Sequence, residues 1–215
     1  MNLRSARIST GLVSILAFGL ALGLGSAASP RQAKGAPAVN PSGTYRIDGQ
    51  HSTVLFKIKH MNTSWTFGRF DNVTGNFTLN TASPEKSTVS VEVAADSVDT
   101  GVKGRDDHLK SDSFFDAVQF PMVSFSSKSV KKAGEGKYTV EGELSLHGVK
   151  KPLTVEFEQV GVSDSPKMGV RAGFFGTFSV KRSDFGMKYG LDGSVGDDVQ
   201  LTISIEGIQT DAGAK

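Results

Sequence analysis

An alternation of apolar and polar residues with a period of two runs through most of the chain, and it admits few folds. In "STVLFKIKH" Val54, Phe56 and Ile58 fall on one side of an extended backbone, while Lys57 and Lys59 fall on the other. In "STVSVEVAA" Val89, Val91 and Val93 oppose Thr88, Ser90 and Glu92. The rhythm recurs through Phe77 and Leu79, through Val123 and Phe125, and through Tyr138, Val140, Leu144 and Leu146. It returns through Leu153, Val155 and Phe157, and again through Leu201, Ile203 and Ile205. Each stretch reads as a strand with one dry face and one wet face. Short turn signals part them: Ser83 with Pro84, "KKAGEGK", "HGVKKP", "SDSPKMG" and "LDGSVGDD". Connections this short join antiparallel neighbours, so the pattern predicts an all-β fold of about eight strands in up-and-down order. About eight strands close into a barrel that can hold one small ligand.

The wet faces carry Lys57, Lys59, Glu92, Glu141, Glu143, Glu156, Glu158 and Glu206. An outer-membrane barrel turns an apolar band to lipid, so this exterior faces water instead. Upstream, Arg4 and Arg7 precede an uncharged run from Ile8 to Leu24, followed by the small residues Gly25, Ser26, Ala27 and Ala28. That order is a secretory signal peptide, expected over residues 1–28. Its apolar core of roughly 15 residues is short of the ~20 a membrane span requires. Residues 29–43, "SPRQAKGAPAVNPSG", read as a flexible linker. The folded domain is expected over 44–209, with a disordered tail at 210–215. No integral membrane segment is expected once the leader is removed, and the periplasm is the expected location.

The chain has no cysteine, so no disulfide supports the fold and the apolar core must suffice. It holds 24 Lys and Arg against 22 Asp and Glu, and loss of Arg4 and Arg7 with the leader leaves 22 against 22. A chain so balanced gives no electrostatic case for nucleic acid or for an anionic membrane surface.

One segment breaks the rhythm. Residues 97–120 contain "GRDDHLKSDSFF", in which a short helix can start at Lys103 to Asp106 and end by Asp112. Two compatible readings follow. In one, Asp106 caps the helix, Arg105 pairs with a carboxylate across the barrel end, and Leu109 and Phe114 plug the core. In the other the same segment is a lid over a cavity mouth, its polar residues meeting a ligand head group.

Four histidines raise the question of a metal, but His51, His60, His108 and His147 lack clustered ligand spacing; the nearest pair is nine residues apart. No metal or other cofactor is expected. No serine sits in a G-x-S-x-G elbow, and Asp106 and His108, two apart on a helix, point in different directions. Aromatic residues gather in two places, Trp65, Phe67 and Phe70 after one strand and Phe174, Phe175 and Phe178 along another.

The blocks "YRIDGQHSTVLFKIKH", "SWTFGRF", "SVDTGVKGRDDHLKSDSFFDAVQFP", "LSLHGVKKPL" and "AGFFGTFSVKRSDFGM" together resemble the YceI-like family, over about residues 44–208. The resemblance implies a lipocalin-like antiparallel barrel with a hollow apolar interior. It further implies periplasmic binding or transport of a long-chain isoprenoid or similar amphiphile, such as a polyprenyl quinone, without an established enzymatic activity. The candidate ligand-binding residues are then Phe56, Trp65, Phe67, Phe70, Phe174 and Phe178 on strands, with Arg105, Asp106, His108, Leu109 and Phe114 in the interruption. Two other classes stay open: an enzyme on such an amphiphile with His108 or His51 as acid or base, and a ligand-free stress-response protein. A second copy of the chain stays open as a partner.

Overall fold

The structure, a computed structural model, describes residues 39–211. The expected leader, most of the expected linker and residues 212–215 lie outside the described residues. Eight antiparallel staves close into a barrel, and the first three are each broken once. β1 (Gly43–Ile47) and β2 (Thr53–His60) make the first, β3 (Ser64–Phe70) and β4 (Val73–Leu79) the second, β5 (Thr88–Ala94) and β6 (Val98–Asp99) the third. The other five run through: β7 (Met122–Gly134), β8 (Lys137–Leu146), β9 (Val149–Ser165), β10 (Gly169–Lys181) and β11 (Val195–Gln209). β11 closes the barrel on the first stave, pairing Gly207 with Ile47 and Ser204 with Thr53. The barrel, the antiparallel order and the single α-helix among the described residues agree with the alternation and its one interruption.

The breaks in the staves are not visible in the alternation, and they lie side by side. Asp71 donates its N–H to the Ser97 carbonyl at 3.1 Å, Ala94 donates to the Asn72 carbonyl at 3.1 Å, and Asn72 donates to Ser97 Oγ at 3.1 Å. A Cβ on Gly49 would stand 2.9 Å from the Val73 carbonyl oxygen, so the first break lies against the second. Together they form a crease across three neighbouring staves. Local irregularities of this kind bend a strand and raise its twist, which a narrow closed barrel requires.

Charge pins the crease from outside. Asp48 accepts from Arg171 Nη1 at 2.8 Å, pairs with His51 Nδ1 at 2.9 Å, and accepts from the Gln50 N–H at 3.0 Å. The same Arg171 nitrogen also pairs with Glu206. Arg171 first, and His51 after it, hold the Asp48 carboxyl far below the usual carboxylate range.

Inside, Tyr45 is fully buried, stacks on Phe77 with ring centroids 4.7 Å apart, and donates its hydroxyl to the Pro41 carbonyl at 2.7 Å. Burial pushes that phenol up to about 12, aided by Asp211, so it stays neutral. The β8–β9 hairpin turns on His147 and Gly148, at φ 52° and 73°. Two consecutive positive φ angles define the turn type whose twist suits a tight hairpin. His147 Nδ1 lies 3.0 Å from the Phe185 carbonyl and its ring packs against Phe120, which accounts for this histidine structurally.

Between β6 and β7 the chain forms α1 (Lys103–Lys110) and then an irregular stretch to Pro121. No helix among the described residues is long and apolar enough to cross a membrane.

Candidate functional site

The barrel is hollow at the end where α1 sits. A cavity of about 390 Å³ lies there, within the ~300–1,000 Å³ usual for small-molecule sites. Its walls follow from strand parity. The inward residues of six staves line it: Phe56 and Ile58 on β2, Phe70 on β3, Val123 on β7, Leu144 and Leu146 on β8, Phe178 and Val180 on β10, Val199 and Leu201 on β11. The roof comes from the interruption, as Arg105, His108 and Leu109 on α1 with Phe114 and Phe115 beyond it. A second, smaller void of about 80 Å³ occupies the opposite end, lined by Ile47, Phe77, Tyr138 and Phe174 among others. No residue lines both.

An eight-residue helix is too short to be stable alone, so the roof depends on its apolar underside. Leu109 and Phe115 pack against the main core, and Phe115 meets the Phe70 ring edge-on at 5.5 Å. Phe114, buried, takes the His108 ring edge-on at 5.0 Å, and His108 also meets Tyr189 at 4.8 Å. The polar residues do different work from that expected. Asp106 does not cap α1, whose N-cap position is Val102 with no side-chain bond; it accepts from the Thr100 N–H at 2.8 Å and from Thr100 Oγ1. Among the described residues Arg105 pairs with no carboxylate; it donates Nε to Thr100 Oγ1 at 2.7 Å and Nη2 to the Thr100 carbonyl at 2.9 Å. Both therefore fasten the turn between β6 and α1. Because Thr100 lies one residue past β6, a local bond reaches it where a bond across the barrel end would not.

Of the residues singled out in the sequence, Phe56, Phe70, Arg105, His108, Leu109, Phe114 and Phe178 line the larger cavity. Phe174 lines the smaller void at the far end. Asp106 stands behind the roof. Trp65 and Phe67 are exposed on the outer face of β3, where Lys57 Nζ lies 4.8 Å from the Trp65 ring centroid. Their stave turns Thr66, Gly68 and Phe70 inward. His51 lies on the crease with Asp48 and lines neither void.

Sequence reasoning passed over Arg182 and Tyr189. Arg182 opens the 3-10 turn Arg182–Phe185, is 3% exposed, and lines the cavity. It donates Nε to the Gly196 carbonyl at 2.7 Å, Nη1 to Met187 at 2.9 Å and Nη2 to Val195 at 2.9 Å, tying the 187–196 loop to the barrel rim. Burial pulls its guanidinium below the ordinary value, and Asp197 opposes that shift. The signal lay in "VKRSDFG", an Arg at a strand end followed by a turn, which is indistinguishable in sequence from a surface arginine.

Among solved structures, BcnA of Burkholderia cenocepacia superimposes with a TM-score of 0.67 at 26% identity, covering 74% of this chain and 98% of that one. A polyisoprenoid binding domain from Saccharophagus degradans superimposes at 0.61 with 16% identity, covering 77% and 98%. In sequence, a UPF0312 protein of Yersinia pestis (strain Pestoides F) is 41% identical over 167 residues, 77% of this chain and 86% of the relative. A UPF0312 protein of Pseudomonas aeruginosa (strain LESB58) is 40% identical over the same length. Residues 45–207, nearly the whole barrel from β1 to β11, match the YceI-like domain, and the chain belongs to that family.

Proposed function

We propose that this protein binds a long-chain isoprenoid or similar amphiphilic lipid in the hollow end of the barrel, as a periplasmic carrier or store rather than as an enzyme. One observation carries the reading: a cavity of about 390 Å³ with mainly apolar walls on six staves and its basic side chains at the rim and roof. Each methylene buried there contributes roughly 0.8 kcal/mol, enough for several to outweigh the ordering costs of binding. The solved neighbour described as a polyisoprenoid binding domain shares the barrel, which supports the same class of ligand. The signal-peptide pattern of residues 1–28 supports the periplasm. Against catalysis by the roof, Asp106 is engaged with Thr100 and His108 is packed against two rings.

Thermal unfolding tests the reading. A ligand that binds only the folded state, at about 100 times its Kd, adds about 2.7 kcal/mol. Geranylgeraniol is therefore expected to raise the Tm of the delipidated protein. A Leu144→Trp variant, whose indole intrudes into the cavity, is expected to show a smaller rise. A wild-type Tm that stays unmoved across a saturating range would reject the cavity as a lipid site.

A further inference from the structure

The cavity is electrically one-sided. Its chargeable wall residues are His60, Arg105, His108, Arg182 and Tyr189, with Lys59 at the edge turning its Nζ outward over Trp65, and among the described residues no aspartate or glutamate lines it. Among the described residues none of the five basic groups forms an ion pair. The acids nearby are committed elsewhere: Asp106 to Thr100, Asp107 to Lys103 at 2.6 Å, and Asp197 to the Ser183 N–H and hydroxyl at 2.9 and 2.8 Å. The whole chain is close to balanced, so this concentration of one sign is local. Arg182 is the sharpest case. Three of its N–H groups meet main-chain carbonyls, which satisfy hydrogen bonds but bring no opposite charge, and Asp197, itself held by Ser183, offsets only part of the cost of burying the cation. Arg105 keeps Nη1 without a protein partner among the described residues, at the exposed roof of the cavity.

We propose that the cavity selects long-chain amphiphiles ending in an oxyanion, a phosphate or a carboxylate, with Arg105 as the principal head-group contact and Arg182 adding to the positive field behind it. This rests on the lipid-binding reading above. An oxyanion supplies both acceptors and the missing negative charge, whereas an alcohol or a quinone supplies acceptors alone. Charge-assisted hydrogen bonds are roughly twice as strong as neutral ones, and a guanidinium matches a phosphate or carboxylate with two parallel bonds.

The test is calorimetric titration of the delipidated protein with geranylgeranyl phosphate, geranylgeraniol, a quinone bearing the same tail, and inorganic phosphate. The phosphate ester is expected to bind at least about tenfold more tightly than the alcohol or the quinone, a gap of about 1.4 kcal/mol. Arg105→Gln is expected to close most of that gap by weakening the ester by a much larger factor than geranylgeraniol, and His108→Gln to narrow it independently. Equal affinity for the three tailed compounds, or a gap that survives both substitutions, would overturn the oxyanion preference and leave lipid binding standing. Inorganic phosphate binding as tightly as the ester would overturn it also, because the tail would then be idle. Should no tailed compound bind, the lipid-binding reading itself falls.

Discussion

A methyl group added at Gly142 would lie 2.4 Å from the Ser126 carbonyl oxygen and 2.5 Å from Phe125 Cζ. The backbone oxygen cannot give way without shifting β7. Gly68 beneath Phe56, Gly176 beneath Phe157 and Gly207 beneath Phe77 repeat the arrangement, each leaving room for a ring laid across it from elsewhere in the barrel. Overpacking of a filled interior costs about 1–3 kcal/mol, and Gly142→Ala is expected to lower stability by that amount in urea titration; an unchanged midpoint would show that β7 yields. Asp48 belongs to the same scale. Replacing it by Asn leaves Arg171 only Glu206 as a charged partner and is expected to cost about 1–3 kcal/mol at neutral pH. Because the folded carboxyl titrates far below its unfolded value, its contribution is complete above about pH 4 and is lost as pH falls toward the folded value. The stability difference between wild type and Asp48→Asn should therefore shrink as pH falls below about 4. A difference that grows below about pH 4 contradicts that linkage.

At the level of elements, the roof is held from beneath by rings rather than by its charges. Phe115→Ala removes the edge-on contact with Phe70. Hydrogen exchange is expected to quicken at least tenfold in α1 while β8 and β9 keep their protection, since local opening draws on local contacts. Uniform acceleration through the barrel would mean that roof and staves unfold together. How much of this was legible follows from the kind of signal each element leaves. Strands with one dry face write their parity into the sequence, so β2, β8 and β11 could be read, and the helix showed as the one failure of that parity. On β3 the apolar residues Trp65, Phe67 and Phe70 occupy both faces, and parity there is fixed only by pairing with β2. The crease was hidden for a related reason. Residues 48–52 stand opposite two residues of β11, a mismatch that exists only once the partner strand is in place. Arg182 was hidden because its burial is made by the 187–196 loop folding over it.

For the molecule as a whole, the barrel is asymmetric along its axis. The α1 end is hollow and basic at its rim, and the far end is packed by Tyr45, Phe77, Phe174 and Tyr138 around a void of about 80 Å³. A tail longer than the upper cavity can hold must displace those rings to go further, so chain length and occupancy of the lower void are coupled. The most direct measurement of the central claim is native mass spectrometry of the protein as purified, followed by loading of the delipidated form with an isoprenoid amphiphile. The expected result is a single adduct per chain, lost on delipidation and restored on loading. A bare chain mass both before and after loading would contradict the account.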